Sequence, residues 1–221
     1  MMPISTRNLS PLPGVKELRR LMQSLAVLDA ILSPDWEDRY YSFDGHWSQN
    51  EQLGSMRNGS GDFLFELFNP YGCFLKGFAH ESVMSPYRTE PPRLWPGLFD
   101  DVPLEFKPCL DEPAFAIEDT TFCAWCQTTD SKWLRGSIDF PEGSDPDGSI
   151  ELLKIFDHQP NTYQQWAQDY YECPVDINAI RQIYQHLPLT PTLIQQLNPV
   201  LSIADLFEDL HEIGYPVAKV V

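Results

Sequence analysis

The stretch FLFELF-NPYG-CFLKGF, residues 63–78, decides the fold of this chain. Two apolar, aromatic-rich runs flank Asn69-Pro70-Tyr71-Gly72, in which proline holds the second position and glycine the fourth. Proline has the φ angle that a type I turn needs at its second position, and runs of this composition favour strands. The stretch therefore predicts two antiparallel strands joined by a tight turn.

The residues on either side extend this hairpin into a sheet. From residue 40 the polarity alternates with a period of two, which is typical of a strand. The alternation predicts one face carrying Tyr41, Phe43, Gly45 and Trp47, and the other carrying Ser42, Asp44 and His46. Residues 120–129 and 136–140 are predicted as further strands, which gives an antiparallel meander of about five strands.

An amphipathic helix is predicted over residues 15–32, ahead of the sheet. Its apolar residues recur at spacings of three and four, as one face of a helix requires. They are Leu18, Leu21, Met22, Leu25, Leu28 and Leu32. The opposite side carries Lys16, Arg19 and Arg20, which we interpret as a solvated face. One face of the sheet has to be covered, and this helix is the predicted cover.

The last third of the chain is predicted to form a cluster of short helices. Prolines and a glycine separate the segments 150–156, 162–173, 176–186, 190–197 and 202–213. Asp176 is the predicted N-cap of the third segment, because a carboxylate at that position accepts a bond from a free backbone N–H. Such segments bury only one face, so they are expected to pack together.

The fold is predicted to be α+β, as one domain over residues 1–221 that is sheet-rich from 1 to 148 and helical from 149 to 221. Prolines are frequent in residues 85–113, so regular structure there is predicted to be short. Trp95 and Phe99 indicate that this segment packs down onto the domain.

The formal charge of −17, from 15 Lys and Arg against 32 Asp and Glu, limits the classes of partner. Nucleic acid and anionic membrane surfaces attract basic proteins, so neither is a predicted partner. A cationic protein suits this charge, since complementary charge steers association. The alternative is that the acidity only keeps the protein soluble.

The five cysteines and the N-terminal residues predict a cytoplasmic protein. An odd number of cysteines in a chain of 221 residues argues against a disulfide framework. The N-terminal residues lack the apolar run of a secretory signal, and no apolar stretch approaches the length of a membrane-spanning helix.

Two short motifs resemble metal sites, and neither is predicted to be one. Cys123 and Cys126 form a CxxC motif, but in a strand they point to opposite faces and no second ligand pair follows. The acidic run that begins at Asp145 resembles a calcium loop, but its twelfth position is Phe156, where the loop needs a glutamate. We interpret the cysteines as buried thiols and the acidic run as a turn with a helix cap, and predict no metal or cofactor.

Two polar runs flank the hairpin and supply the candidate site. Residues 57–62, with glycines at 59 and 61, are interpreted either as an anion-binding backbone nest beside Arg57 or as a turn between two strands. His80, Glu81 and Ser82 offer a base, a carboxylate and a hydroxyl. Adjacent residues point apart, so His80 would need an acid from elsewhere, such as Asp62 or Glu66; otherwise it is a structural histidine.

Several runs together resemble a family of uncharacterised bacterial proteins. They are Tyr41-Ser42-Phe43 with Trp47, the Ser-Met-Arg-Asn-Gly-Ser-Gly-Asp run of residues 55–62, residues 76–82, and Trp95-Pro96-Gly97. The resemblance extends over most of the chain, and it implies a bacterial, cytoplasmic protein without a known activity. Compact, acidic, aromatic-rich bacterial proteins are also similar in character to the immunity proteins that neutralise toxins.

Three functional hypotheses follow. The leading one is a non-enzymatic, immunity-like acidic protein that binds a cationic protein partner through Arg57, Asn58, Ser60, Asp62, His80, Glu81 and Ser82. The second is a small hydrolase or transferase in which His80 acts with Asp62 or Glu81 and with Arg57. The third is an oligomeric structural protein, and the sequence leaves the oligomeric state open.

Overall fold

A computed structural model describes residues 3–218 as an α+β fold built on one five-stranded sheet. The strands are β1 (Tyr41–Ser48), β2 (Glu51–Arg57), β3 (Phe63–Asn69), β4 (Gly72–Phe78) and β5 (Phe122–Gln127). They lie in chain order and each neighbouring pair is antiparallel. The predicted meander is therefore confirmed.

The described residues also form seven α-helices. They are α1 (Val15–Leu32), α2 (Lys107–Leu110), α3 (Ser149–Leu153), α4 (Pro160–Tyr170), α5 (Ile177–Tyr184), α6 (Pro191–Leu197) and α7 (Phe207–Ile213). The predicted N-terminal helix and C-terminal helical cluster are confirmed, and Asp176 caps α5 by accepting from the Asn178 N–H at 2.7 Å. No helix of the described residues is long and apolar enough to cross a membrane.

The β3–β4 hairpin forms where the Asn-Pro-Tyr-Gly segment predicts it. Asn69 pairs with Gly72, and the Asn69 side-chain oxygen accepts from the backbone N–H groups of Tyr71 and Gly72 at 2.9 and 3.1 Å. Gly72 has a φ of 153°, and a Cβ atom there would lie 2.1 Å from the carbonyl oxygen of Cys126 on β5. Glycine is therefore needed to end the turn and to admit β5.

Two of the strand predictions are wrong. Residues 136–140 form no strand; they pack against residues 97–98, where a Cβ on Gly136 would lie 1.9 Å from the Gly97 oxygen. The sheet has five strands because β2, which was not predicted, takes part in it. β2 is rich in residues that strands disfavour but pairs with β1 and β3 along its length. Trp47 does not share a face with Tyr41, because the β1–β2 register shifts between Asp44 and Ser48.

Each face of the sheet has its own hydrophobic core. The first face packs against α1 and the C-terminal helices. The hydrophobic core between them contains residues from both sides of position 148, from Ile4 to Tyr215. The second face is covered by residues 98–119, which we call the cover segment, through Val102, Phe106 and Phe115. The proline-rich segment therefore packs down, as predicted, but on the face opposite α1.

Lys76 lies beneath the cover segment and anchors it. Its side chain is fully buried, and Nζ donates to the backbone oxygens of Phe115, Ala116 and Asp119 at 2.5, 2.7 and 2.8 Å. Nζ also lies 4.7 Å from the centre of the Phe63 ring. Burial lowers the pKa of Lys76 to about 7, while the Asp119 carboxylate acts in the opposite direction. Three acceptors match the three N–H donors of the charged ammonium.

Glu66 is the counterpart of Lys76 on the first face. It is fully buried opposite Gly54, where a Cβ would lie 2.6 Å from Glu66 Oε2 and 3.0 Å from a Met22 side-chain atom. Neither carboxyl oxygen has a hydrogen-bond partner among the described residues. Burial raises the pKa of Glu66 to about 8, so the carboxyl is mostly protonated at neutral pH.

Asp29 on α1 is a third buried charge-bearing residue, and it is fully partnered. It accepts from the Tyr163 hydroxyl at 2.6 Å and from the backbone N–H groups of Tyr41 and Tyr40 at 2.8 and 3.1 Å. Burial raises the pKa of Asp29 to about 6, although these bonds oppose the shift. The carboxyl therefore joins α1, the start of β1 and α4.

Candidate functional site

The predicted site residues lie at one end of the sheet. Arg57 at the end of β2 pairs with Phe63, and Phe63 pairs with Phe78 at the end of β4. Asp62 precedes Phe63 and His80 follows Phe78 by two residues, so antiparallel pairing brings both polar runs to the same end. Sequence reasoning placed these runs near each other from the hairpin alone, and the structure has them so.

The glycine-rich run is a closed turn. The Asn58 backbone N–H donates to the Asp62 carbonyl at 3.2 Å, and the Asn58 side-chain oxygen accepts from the N–H groups of Ser60 and Asp62 at 2.9 and 3.0 Å. Gly59 and Gly61 have φ angles of 70° and 110°, which glycine adopts without strain. Because Asn58 takes up these N–H groups, they are not free to bind an anion as a nest.

Asp62 links this turn to the end of β4. Its Oδ1 accepts from the His80 backbone N–H at 2.8 Å and lies 2.7 Å from His80 Nδ1, while Oδ2 accepts from the Asn58 amide at 2.9 Å. Of the two acids proposed for His80, Asp62 reaches it, whereas Glu66 is buried on the α1 side of the sheet. The His80 side chain is 39% exposed, and its Nε2 lies 3.9 Å from Glu81 Oε1.

Glu81 and Ser82 do not complete a catalytic arrangement with His80. The Glu81 side chain is 87% exposed. The Ser82 hydroxyl is buried without a hydrogen-bond partner among the described residues, while the Ser82 N–H donates to the Ala79 carbonyl at 3.0 Å. The turn from Ala79 to Ser82 thus leaves Glu81 exposed and buries the Ser82 hydroxyl.

Arg57 also lines a cavity of about 220 Å³. We call it the Arg57 cavity; its walls are Trp36, Glu37, Arg39, Tyr40, Ser42, Ser55, Arg57, Gly59 and Tyr170. These residues come from the link after α1, from β1 and β2, from the turn that follows β2, and from α4. No local motif joins segments so distant in the chain, so sequence reasoning found Arg57 and missed its neighbours.

The cover segment carries an acidic surface that sequence reasoning also missed. Residues 100–119 contain Asp100, Asp101, Glu105, Asp111, Glu112, Glu118 and Asp119 against a single Lys107. Five of the seven carboxylate residues are exposed and two are half-buried. The charge density of this segment was readable from the sequence, but its packing over the second face of the sheet was not.

The two motifs that resemble metal sites have structural roles. Cys123 and Cys126 are free, buried thiols that belong to the two opposite cores, as strand geometry predicts. Asp145 accepts from the Ile150 N–H at 3.0 Å and Asp147 from the Ser149 N–H at 3.1 Å, so the acidic run caps α3. Within residues 3–218, no group of three or more His, Cys, Asp and Glu side chains is placed to hold a metal ion.

Comparisons with protein-family models, with curated proteins and with solved structures found no match to this chain. Function is therefore inferred from three features of the described residues. They are the Asp62–His80 pair, the Arg57 cavity and the acidic cover segment.

Proposed function

We propose that this protein is a non-enzymatic binding protein that engages a cationic protein partner through the acidic surface of the cover segment. The observation that supports the proposal is the charge of residues 100–119, which contain seven acidic residues and a single lysine. Long-range attraction to such a surface speeds the association of a basic partner and discriminates against acidic ones.

Packing against the sheet fixes the position of the cover segment. Val102, Phe106 and Phe115 are buried against the second face of the sheet, and the Lys76 ammonium binds three carbonyl oxygens at the end of the segment. A surface that is ordered before binding loses less conformational entropy when its partner docks. The cover segment is thus suited to present charge in a fixed arrangement.

Apolar residues lie among the exposed carboxylates. Leu104 is 75% exposed next to Glu105, and Tyr87 is 58% exposed with its hydroxyl donating to Asp119 at 2.5 Å. Protein interfaces combine an apolar centre, often with tyrosine, and a polar rim. Leu104 and Tyr87 are therefore the proposed apolar contacts of the partner.

The proposed partner surface excludes most of the residues that the sequence predicts to bind. Asn58 donates to Asp62, Asp62 also contacts His80 at the end of β4, and the Ser82 hydroxyl is buried. Glu81 remains exposed. An immunity-like role in a bacterial cytoplasm stays part of the proposal, and the five free cysteines are consistent with a reducing compartment.

The test is binding to extract proteins of a bacterial host at two salt concentrations. Immobilised wild type is compared with a variant carrying Asp100→Asn, Asp101→Asn and Glu105→Gln. Asn suits position 101, where φ is 63°. We expect a basic protein that is retained by the wild type, weakened by salt and lost from the variant, then confirmed with the purified partner.

The matched control neutralises three exposed acids elsewhere: Glu142→Gln, Glu172→Gln and Glu208→Gln. It removes the same charge and should retain the partner. Equal loss of partner binding in both variants would show that binding depends only on net charge. Binding of the partner by the cover-segment variant would refute the proposal.

The Asp62–His80 pair supports a second candidate, a small hydrolase or transferase. A carboxylate 2.7 Å from Nδ1 orients the ring and leaves Nε2 as a general base. Turnover of small activated esters that falls with His80→Gln, and to a lesser degree with Asp62→Asn, would support it. Turnover that is the same in wild type and in His80→Gln would exclude this role.

The third candidate, an oligomeric structural protein, is supported by two exposed apolar residues near the C-terminal helices. Val200 is 92% exposed and Phe207 is 71% exposed. Sedimentation velocity over a range of concentrations tests it: a stable oligomer that dissociates with Phe207→Ser supports it, and a monomer throughout excludes it.

A further inference from the structure

We infer that the Arg57 cavity binds a carboxylate carried on a small, planar, apolar body. The inference is independent of the acidic cover segment, because the two surfaces share no residue. It depends on three observations: an unpaired guanidinium, aromatic walls and the size of the cavity.

The guanidinium of Arg57 is the unpaired positive charge among the described residues that line the cavity, whose wall also includes the acidic residue Glu37. It forms no hydrogen bond and no ion pair with any described residue, and its carbon atom lies 5.3 Å from the centre of the Phe65 ring, which holds it in place. The other arginine in the wall, Arg39, is fully used: it donates to the Ser33 and Pro34 carbonyls and pairs with the Asp209 carboxylate at 2.5 and 3.1 Å. A planar, unpaired guanidinium offers the paired donors that a carboxylate accepts.

The remaining walls supply aromatic surface and hydroxyl groups. Tyr40 and Tyr170 meet edge to face with ring centres 5.2 Å apart, and the Ser42 and Ser55 hydroxyls are 2.6 Å apart. Partial burial and nearby carboxylates raise the pKa of Tyr40 to about 12, so its hydroxyl stays protonated. Apolar walls with a few polar groups are typical of ligand sites.

The volume limits the ligand. About 220 Å³ is below the range of roughly 300–1,000 Å³ in which drug-sized ligands bind. The occupant is therefore a small acid, or the terminal residue of a peptide that enters with its C-terminal carboxylate. Both sources share the carboxylate and the apolar body, so they are separated by experiment.

The experiment is a titration of the isotopically labelled full chain followed by amide chemical shifts. The probes are benzoate and phenylacetate, with benzamide as the uncharged analogue of similar shape. A short peptide ending in phenylalanine is tested with a free and with an amidated C-terminus. We expect saturable shifts around Arg57, Tyr40 and Tyr170 with the carboxylates, and at least tenfold weaker binding of benzamide.

Variants assign the effect to the cavity. Arg57→Gln should weaken carboxylate binding by about 10- to 100-fold, the usual effect of losing a charge-assisted hydrogen bond. Tyr170→Leu should weaken it while keeping the preference for carboxylate over amide. Arg93→Gln removes an exposed arginine elsewhere and should change nothing.

Equal binding of benzoate and benzamide, or unchanged binding by a folded Arg57→Gln variant, would overturn the inference, and so would the absence of saturable shifts with every probe. Binding of the free peptide but not the amidated one identifies a chain terminus as the source, and binding of the small acids alone identifies a free metabolite-sized acid.

Discussion

The buried carboxyl of Glu66 is predicted to make a contribution to stability that is lost as pH rises. Both oxygens lack hydrogen-bond partners among the described residues, and burial raises the pKa from about 4.5 to about 8. In the unfolded chain the carboxyl ionises above about 4.5, whereas in the folded chain it stays neutral up to about 8. At Glu66 the unfolded state therefore binds fewer protons between these values, and the Glu66 contribution to stability falls with increasing pH across this window.

The size of the effect follows from the same two values. Each tenfold change in proton affinity corresponds to about 1.4 kcal/mol, so the complete loss is about 5 kcal/mol. Between pH 5 and pH 9 the loss attributable to Glu66 is about 4 kcal/mol. Small domains are stable by roughly 5–15 kcal/mol, so this loss is readily measured.

The assay is denaturant unfolding at intervals from pH 5 to pH 9 for wild type and Glu66→Gln. The amide has nearly the same shape and stays neutral, so its curve should lack the Glu66 component, and the difference between the two chains should grow by about 4 kcal/mol with rising pH. Asp29 and Lys76, which also titrate in this range, contribute equally to both chains and cancel. The exposed Glu142→Gln variant should parallel the wild type. Parallel curves for wild type and Glu66→Gln would refute the reasoning.

Three further predictions concern other parts of the fold. Lys76→Met leaves one buried and two partly buried carbonyl oxygens without their donor, so we expect a loss of about 3 kcal/mol in unfolding free energy and faster hydrogen exchange in residues 112–120. Unchanged exchange there would contradict the anchoring role. Gly72→Ala places a methyl group 2.1 Å from the Cys126 oxygen at a φ of 153°. We expect it to destabilise the protein by about 2–4 kcal/mol in thermal or denaturant unfolding, and a change below about 0.5 kcal/mol would contradict this. Asn58→Ala removes the side-chain bonds that close the β2–β3 turn and should cost about 1–2 kcal/mol without moving the sheet register, as judged by the amide spectrum of the strands.

Local sequence patterns were sufficient for the elements that carry their own signals. The Asn-Pro-Tyr-Gly turn specified the central hairpin, the three- and four-residue spacing specified α1, and Asp176 marked the start of α5. These features depend on residues within one or two turns of chain, where backbone preference and periodicity act directly. The same reasoning placed Asp62 within reach of His80, since both follow from the hairpin register.

Several features of the fold and of the candidate site required the tertiary structure. β2 lacks strand-favouring residues and is a strand because β1 and β3 supply hydrogen bonds on both sides. Glu66 and Lys76 read as polar residues in a hairpin, yet α1 covers one and the cover segment covers the other, so both are buried. The Arg57 cavity joins segments more than a hundred residues apart. Chain-local patterns carry no information about such contacts, because burial and pairing between distant segments are set only when the whole chain packs.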